Sequence, residues 1–351
     1  MKRSQSRPVK AGPIQIGNQD KVIIQSMTNT KTKDVPATVA QIEALAKAGC
    51  QLVRVAVVDE SDARAIKEIK QQISLPLVCD IHFNYRLALI CIENGADKIR
   101  LNPGNIEKQS QVEEVVNACK KHHVPIRIGI NAGSLPLDLL GENKQVSPAA
   151  MIAAAKRHVD ILEALDFYDI VLSFKASEVP LTIEAYQLAS QTFPYPLHLG
   201  VTEAGTRELS AIKSSAALGT LLSQSIGDTL RISVSDDPLV EIDIAKKLLN
   251  CFHLATDVPD LISCPTCGRL EYDMLPIVRE IEDYLKNVHK NITVAIMGCP
   301  VNGPQEASRA DIGVAGGYHN ALLFKKGQII RRIAQNEIVE VLKKEIQDFK
   351  P

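Results

Sequence analysis

Three cysteines in the last third of the chain carry the strongest chemical signal. Cys264 and Cys267 form a C-x-x-C pair in Cys264-Pro265-Thr266-Cys267-Gly268, and Cys299 follows in Met297-Gly298-Cys299-Pro300-Val301-Asn302-Gly303-Pro304-Gln305-Glu306. Two thiolates at that spacing can hold one metal or one cluster, and a third arriving after an apolar strand can close over the same object. An iron–sulfur cluster or a structural zinc ordinarily takes four thiolates, and this region has no fourth cysteine. One coordination position is left to a weaker, exchangeable ligand, and Glu306 is the candidate. The plainer reading of Glu306 is a loop charge or a helix cap. Cys264, Cys267 and Cys299 with His253, His289 or His319 would instead make a Cys3His zinc site, and a redox dithiol is a third alternative. The turn-rich surroundings of Cys299 favour the cluster, because such loops aim backbone N–H groups at cluster sulfurs. A zinc ribbon would want a second C-x-x-C. A redox C-x-x-C usually opens a helix after a strand, which this one does not.

These residues need a frame. Short β-branched runs at 22–26, 52–57, 77–81, 98–102, 126–131, 170–174, 197–201 and 230–234 alternate with helical patterns, among them amphipathic stretches at 37–48, 63–73, 111–122, 151–165, 181–192, 208–223 and 240–249. Alternation of this kind means parallel strands joined by crossover helices. Eight such units predict a closed (β/α)8 barrel over residues 1–255. No G-x-G-x-x-G follows the first strand, which argues against a dinucleotide fold. At Asp257-Val258-Pro259-Asp260 the rhythm breaks, as at a linker. Residues 256–351 then predict a small α+β domain holding all three cysteines: a helix over 274–289, strands at 292–296, 312–315, 321–324 and 329–333, a hairpin turn at Lys325-Lys326-Gly327-Gln328, and a last helix over 337–349.

In such a barrel the active site forms at the C-terminal ends of the strands. Those ends carry Arg54, Asp80, Arg100, Asn102, Arg127, Asn131, Lys175, Thr202, Glu203, Arg231 and Ser233. Five of the eight strands thus place a cation in or just after an apolar run. One charge at a strand end ordinarily reaches solvent; five coincidences call for a common partner. Buried cations without partners are costly, and arginine forks match phosphate oxygens. A phosphorylated or diphosphorylated small molecule is the expected ligand.

Composition excludes other classes. Lys and Arg number 40 against 41 Asp and Glu, a net charge of −1, so no global field draws nucleic acid or anionic lipid. No apolar run is long enough to span a membrane. The basic start, Met1-Lys2-Arg3-Ser4-Gln5-Ser6-Arg7, has no apolar segment behind it, unlike a secretory signal. Eight cysteines in this context predict thiols in a reducing, cytoplasmic compartment. Cys50, Cys79, Cys91, Cys119 and Cys251 sit in apolar contexts and are expected to be small buried hydrophobes.

Taken together the chain resembles the 4-hydroxy-3-methylbut-2-en-1-yl diphosphate synthases of the non-mevalonate isoprenoid pathway, in their short bacterial two-domain form. The resemblance is carried by Gln25-Ser26-Met27-Thr28-Asn29-Thr30, Val53-Arg54-Val55, Asp80-Ile81-His82-Phe83, Arg100-Leu101-Asn102-Pro103-Gly104-Asn105 and Arg127-Ile128-Gly129-Ile130-Asn131-Ala132-Gly133-Ser134. It continues through Ser173-Phe174-Lys175-Ala176-Ser177, Gly200-Val201-Thr202-Glu203-Ala204-Gly205, Arg231-Ile232-Ser233, Cys264-Pro265-Thr266-Cys267-Gly268-Arg269 and Asn302-Gly303-Pro304. The resemblance implies two-electron reductive opening of 2-C-methyl-D-erythritol 2,4-cyclodiphosphate with loss of water. It implies a [4Fe–4S] cluster on Cys264, Cys267, Cys299 and Glu306, with one iron open to substrate. Arg54, Arg100, Arg127, Lys175 and Arg231 are then expected to hold the diphosphate, helped by Asn102, Asn131 and Ser233. Glu203 is expected to protonate the leaving hydroxyl, with Thr202 and Asp80 nearby. Flavodoxin or ferredoxin would donate electrons, and the enzyme would be a homodimer in which one subunit's cluster domain caps the other's barrel. Two departures from the family pattern stand out. Gln305 replaces a common glycine, which would permit a positive φ, and Pro300 removes an N–H beside Cys299. Both are expected to tune the loop without removing a ligand.

Overall fold

A computed structural model of the chain describes residues 2–82, 84–140 and 145–350. The backbone divides between Leu254 and Ala255 into two units. The first opens with an antiparallel hairpin of β1 (Val9–Ala11) and β2 (Ile14–Ile16). Eight strand–helix units follow: β3 (Ile23–Met27), α1 (Val35–Ala48), β4 (Leu52–Ala56), α2 (Glu60–Gln72), β5 (Leu77–Asp80), α3 (Tyr85–Glu93), β6 (Lys98–Arg100), α4 (Gln109–His122), β7 (Ile126–Asn131), α5 (Pro148–Glu163), β8 (Ile170–Lys175), α6 (Val179–Thr192), β9 (His198–Leu199), α7 (Arg207–Ser223), β10 (Thr229–Leu230) and α8 (Pro238–Asn250). The helices start where short polar side chains can cap them: Asp34, Asp59, Asn84, Ser147 and Asp237 each accept a first-turn backbone N–H. Proline in the first turn pre-sets α1, α5, α6 and α8.

The strands lie in the order β8-β7-β6-β5-β4-β3-β10-β9, and every pairing is parallel. A parallel bridge between Leu172 and Leu197 joins the two ends and closes the barrel. The predicted (β/α)8 architecture is therefore the observed one. The N-terminal hairpin was not expected. Its Val9, Ala11 and Ile16 pack on Ile23, Leu52, Val78 and Val171 at the N-terminal ends of the strands, sealing that end. Cys50, Cys79, Cys91 and Cys119 are buried as expected. Cys251 is not: it is exposed, because it occupies the C-cap of α8, where the helix ends at solvent.

The second unit holds β11 (Asp260–Ser263), α9 (Met274–Leu285), β12 (Thr293–Met297), α10 (Gly303–Ala307), β13 (Ile312–Gly317), β14 (Asn320–Lys325), β15 (Gln328–Ala334) and α11 (Ile338–Asp348). The sheet runs β11-β12-β13-β14-β15, with the first three parallel and the last two antiparallel. Alternation along the strands sends Val294, Ile296, Val314 and Leu323 into a core with Ile281, Leu285, Leu342 and Ile346 of α9 and α11. Ala295, Met297 and Ala315 instead join Ala307 of α10. The β14–β15 turn takes positive φ at Lys326 (46°) and Gly327 (81°), as a two-residue hairpin of right-handed twist requires. The strand Asp260–Ser263 falls where a linker was read. It leads directly into Cys264, so the C-x-x-C follows a strand but, as expected, opens no helix.

Candidate functional site

The barrel strands bring their basic residues to one mouth. A cavity of about 170 Å³ there is lined by Arg54, Asp80, His82, Arg100, Arg127, Gly129, Asn131, Ser173, Lys175, Thr202, Arg231 and Ser233. The five expected cations all line it, with Asp80, Asn131, Thr202 and Ser233. Asp80 lies between Arg54 (3.7 Å) and Arg100 (3.6 Å). Burial alone would raise its pKa, but Arg54, Arg100 and Arg127 together hold it below the ordinary carboxylate range. Arg54 also donates from Nε and Nη2 to Met27 Sδ at 3.0 and 2.9 Å. Burial pushes its guanidinium down to about 10 against the pull of Asp80. Arg231 makes a bidentate pair with Glu241 (2.8 and 3.1 Å), and Ser26 donates to the same carboxylate at 2.7 Å. Among the described residues Lys175 has no such carboxylate. Burial, then Arg54, Arg127 and Arg231, push its ammonium far below its ordinary range. A cavity this rich in desolvated cations is built for a polyanion.

Asn102 stands one step back. Its amide donates to Gly129 O and accepts from Gly129 N–H, both at 2.9 Å, tying the end of β6 to β7. A Cβ at Gly129 would sit 3.0 Å from Arg100 Nε, so a larger residue there would press on that guanidinium. Glu203 follows Thr202 as an exposed side chain beside the cavity rather than in its wall. Its backbone is left-handed, φ 52°. For a glutamate that conformation costs about 1–3 kcal/mol and persists where surrounding structure imposes it. Three residues of the mouth were not singled out from the sequence. His82 stands 3.2 Å from Arg100 and 4.0 Å from Asp80, Ser173 lines the wall, and Glu241 anchors Arg231. Ser173 was reachable by alternation, two residues before Lys175. Glu241 was not, because it sits on a helix. Phe83, part of the motif around Asp80, lies outside the described residues.

Glu203→Gln keeps the backbone and removes the acid. On the expectation that Glu203 protonates a leaving hydroxyl, the change should lower kcat by about 10²–10⁴ with little change in KM, as loss of a general acid does. Glu203→Gly is expected to lose the same activity while keeping or raising Tm, because glycine relieves the positive φ. Steady-state kinetics and thermal melts check both.

In the second unit another cavity of about 170 Å³ is lined by Cys264, Pro265, Cys267, Arg269, Met297, Gly298, Cys299, Asn302, Gly303 and Glu306. Cys264 emerges from β11, Cys299 from β12, and Glu306 from α10, whose N–H at Glu306 bonds Asn302 O at 3.0 Å. Gly298 N–H donates to Cys264 Sγ at 3.3 Å. The N–H groups of Asn302 and Val301 lower the Cys299 pKa toward the thiolate. Gln305 is inside α10 with helical backbone, so its replacement of glycine imposes no strain. None of His253, His289 and His319 lines this cavity. Among the described residues no three His, Cys, Asp or Glu side chains converge around a single-ion position. The cavity is roughly ten times the ~10–15 Å³ one water needs. Three thiols and a carboxylate facing so large a space, with N–H groups aimed at sulfur, fit a multi-atom iron–sulfur group.

Comparison with known proteins places both units. The family model for the GcpE TIM-barrel domain matches residues 6–246, and that for the GcpE protein C-terminal domain matches residues 260–348. A relative in Bacillus licheniformis named 4-hydroxy-3-methylbut-2-en-1-yl diphosphate synthase (flavodoxin) is 56% identical over 344 residues, covering 98% of this chain and 93% of its own. One of the same name in Bacillus subtilis is 54% identical over 344 residues, covering 98% and 91%. Among solved structures, dihydropteroate synthase of Yersinia pestis with a sulfonamide drug aligns at TM-score 0.50 and 12% identity, over 70% of this chain and 99% of its own. That likeness is one of fold alone. With both units matched in order and relatives above half identity along nearly its full length, the chain belongs to the GcpE family.

Proposed function

We propose that this protein catalyses the reductive ring opening of 2-C-methyl-D-erythritol 2,4-cyclodiphosphate to (E)-4-hydroxy-3-methylbut-2-enyl diphosphate, the compound that the names of its relatives give as their product. The reading rests on one observation above the rest: five basic side chains from different strands line a single cavity at the barrel mouth. In the reaction one ring C–O bond breaks, the neighbouring hydroxyl leaves as water, and a double bond forms between those two carbons. Two electrons enter, and two protons when both diphosphates are counted as neutral acids. Each phosphorus of the cyclic diphosphate carries one ionisable oxygen, so the substrate arrives as a dianion. Arg54, Arg100, Arg127, Lys175 and Arg231 bind those oxygens. Asp80 holds Arg54 and Arg100 in place, Glu241 holds Arg231, and Asn131, Thr202 and Ser233 complete the polar wall. Glu203 delivers the proton to the departing hydroxyl.

Cys264, Cys267, Cys299 and Glu306 would hold a [4Fe–4S] cluster, with the carboxylate as the exchangeable ligand. When bound, that group supplies the electrons one at a time. Flavodoxin, which the relatives' names carry, is the proposed donor. The proposed assembly is a homodimer that shares active sites. Mixing Lys175→Ala chains with Cys299→Ser chains tests it, since sharing restores turnover and independent subunits do not. The zinc alternative is separated by measuring iron, acid-labile sulfide and zinc in anaerobically purified protein. About four irons with matching sulfide per chain support the proposal. Stoichiometric zinc without sulfide contradicts it.

A further inference from the structure

One layer below the mouth, the barrel interior is polar where such barrels are filled with branched apolar side chains. Strand alternation identifies this layer, because the residue two positions earlier faces the same side, about 6–7 Å deeper. Counting back from Met27, Arg100, Gly129, Gly200 and Arg231 gives Gln25, Lys98, Arg127, His198 and Thr229. All five are at most 1% exposed. Leu52, Val78 and Val171 pair in register with Gln25, Lys98 and Arg127 and pack with the N-terminal hairpin, which covers that end of the barrel. His198 Nδ1 and Thr229 Oγ1 share a hydrogen bond of 2.7 Å. Both amide atoms of Gln25, Lys98 Nζ, Arg127 Nε and Nη1, and His198 Nε2 have no hydrogen-bond partner among the described residues. Buried polar atoms left this way in a native protein ordinarily mark a bound water or ion.

The charge pattern decides between those two. Six basic side chains face the barrel interior: Arg54, Lys98, Arg100, Arg127, Lys175 and Arg231. The carboxylates that face them are Asp80 and Glu241, which are already engaged by Arg54, Arg100 and Arg231. On the function proposed above, the substrate brings two more negative charges. Two positive charges remain, and Lys98 with Arg127 forms the deepest pair. Water would satisfy the donors but bring no counter-charge to Lys98 and Arg127. We propose that a small inorganic monovalent anion, chloride under ordinary conditions, binds in this closed layer between Lys98 Nζ, Arg127 and His198 Nε2. Without such an anion, burial beside Arg127 and Arg54 drives the Lys98 ammonium far below its ordinary range. With the anion, Lys98 stays charged and the Arg127 guanidinium is held from beneath, facing the mouth. Lys98 is thus a positioning residue for Arg127.

The test uses the full chain and does not depend on turnover. Crystals grown with bromide in place of chloride, measured at the bromine absorption edge, should show an anomalous peak within hydrogen-bond distance of Lys98 Nζ. The peak should vanish in Lys98→Met. In solution, replacing gluconate by chloride at fixed ionic strength should raise Tm by about 2–4 °C in the parent protein and leave Lys98→Met unmoved. A water or empty density beside Lys98 in bromide overturns the proposal. So does bromide found only at the mouth on Lys175 and Arg231, or a Tm indifferent to chloride. If Lys98→Met does not fold, the bromide map of the parent protein decides alone.

Discussion

Lys175→Met should raise the stability of the ligand-free protein while lowering kcat/KM about 10²–10³-fold. The two effects share one cause. Lys175 is 8% exposed, has no ion-pair partner among the described residues, and faces Arg54, Arg127 and Arg231. Replacing a buried, unpaired amine by an apolar side chain of similar length removes a desolvation penalty; even buried ion pairs replaced by apolar residues are often neutral or stabilising by about 1–4 kcal/mol. The same ammonium is what a phosphate oxygen needs. Leaving that oxygen buried without it costs about 2–5 kcal/mol of binding. Arg231→Met is the control with the opposite sign. It strands Glu241, which is 2% exposed, with the Ser26 hydroxyl as its one remaining polar side-chain partner among the described residues. Breaking a buried pair from one side costs about 3–5 kcal/mol, so Tm should fall as activity is lost. Thermal melts without substrate, beside steady-state kinetics, read both. A fall in Tm for Lys175→Met would mean the mouth is not an anion trap held open at the expense of stability.

The second large effect concerns the cysteine cavity. Cys299→Ser should lose iron and sulfide together with all measurable turnover, because it removes the thiol whose pKa the loop N–H groups already lower. Glu306→Ala should behave differently. Three thiols remain to hold the group, so iron and sulfide stay near the parent content while kcat falls by about 10²-fold or more, in the range usual for loss of one electrostatic or ligand contact. Metal and sulfide analysis separates the pair. Equal metal loss in both would place Glu306 among the structural ligands rather than at the exchangeable position.

How far the sequence reached depends on which physical signal each feature leaves. The strand Ile126–Asn131 matches the reading residue for residue, since a β-branched run between a helix end and a polar turn has few alternatives. The five mouth cations were visible because a charge in an apolar strand is costly without a partner. The hairpin of Val9–Ala11 and Ile14–Ile16 was missed, as its strands are three residues long and show no clear period. Helix Tyr85–Glu93 was passed over because Leu87-Ala88-Leu89-Ile90-Cys91-Ile92 has no polar face. The strand Asp260–Ser263 was hidden by the Pro259-Asp260 turn signal; it is an edge strand with an exposed pattern. The polar layer of Lys98 and His198 left a charge and an imidazole in plain view. Which face each strand turns inward, however, is set by barrel register, and parallel strands buried on both faces do not show it. The left-handed backbone at Glu203 has no sequence signature for a residue other than glycine or asparagine.

The most direct test of the central claim is the electron count of an anaerobic turnover. With reduced flavodoxin and 2-C-methyl-D-erythritol 2,4-cyclodiphosphate, two electrons should be consumed for each molecule of (E)-4-hydroxy-3-methylbut-2-enyl diphosphate formed, with no product when reductant is left out. Product formed without consumption of reductant, or reductant consumed with the ring left intact, would contradict it.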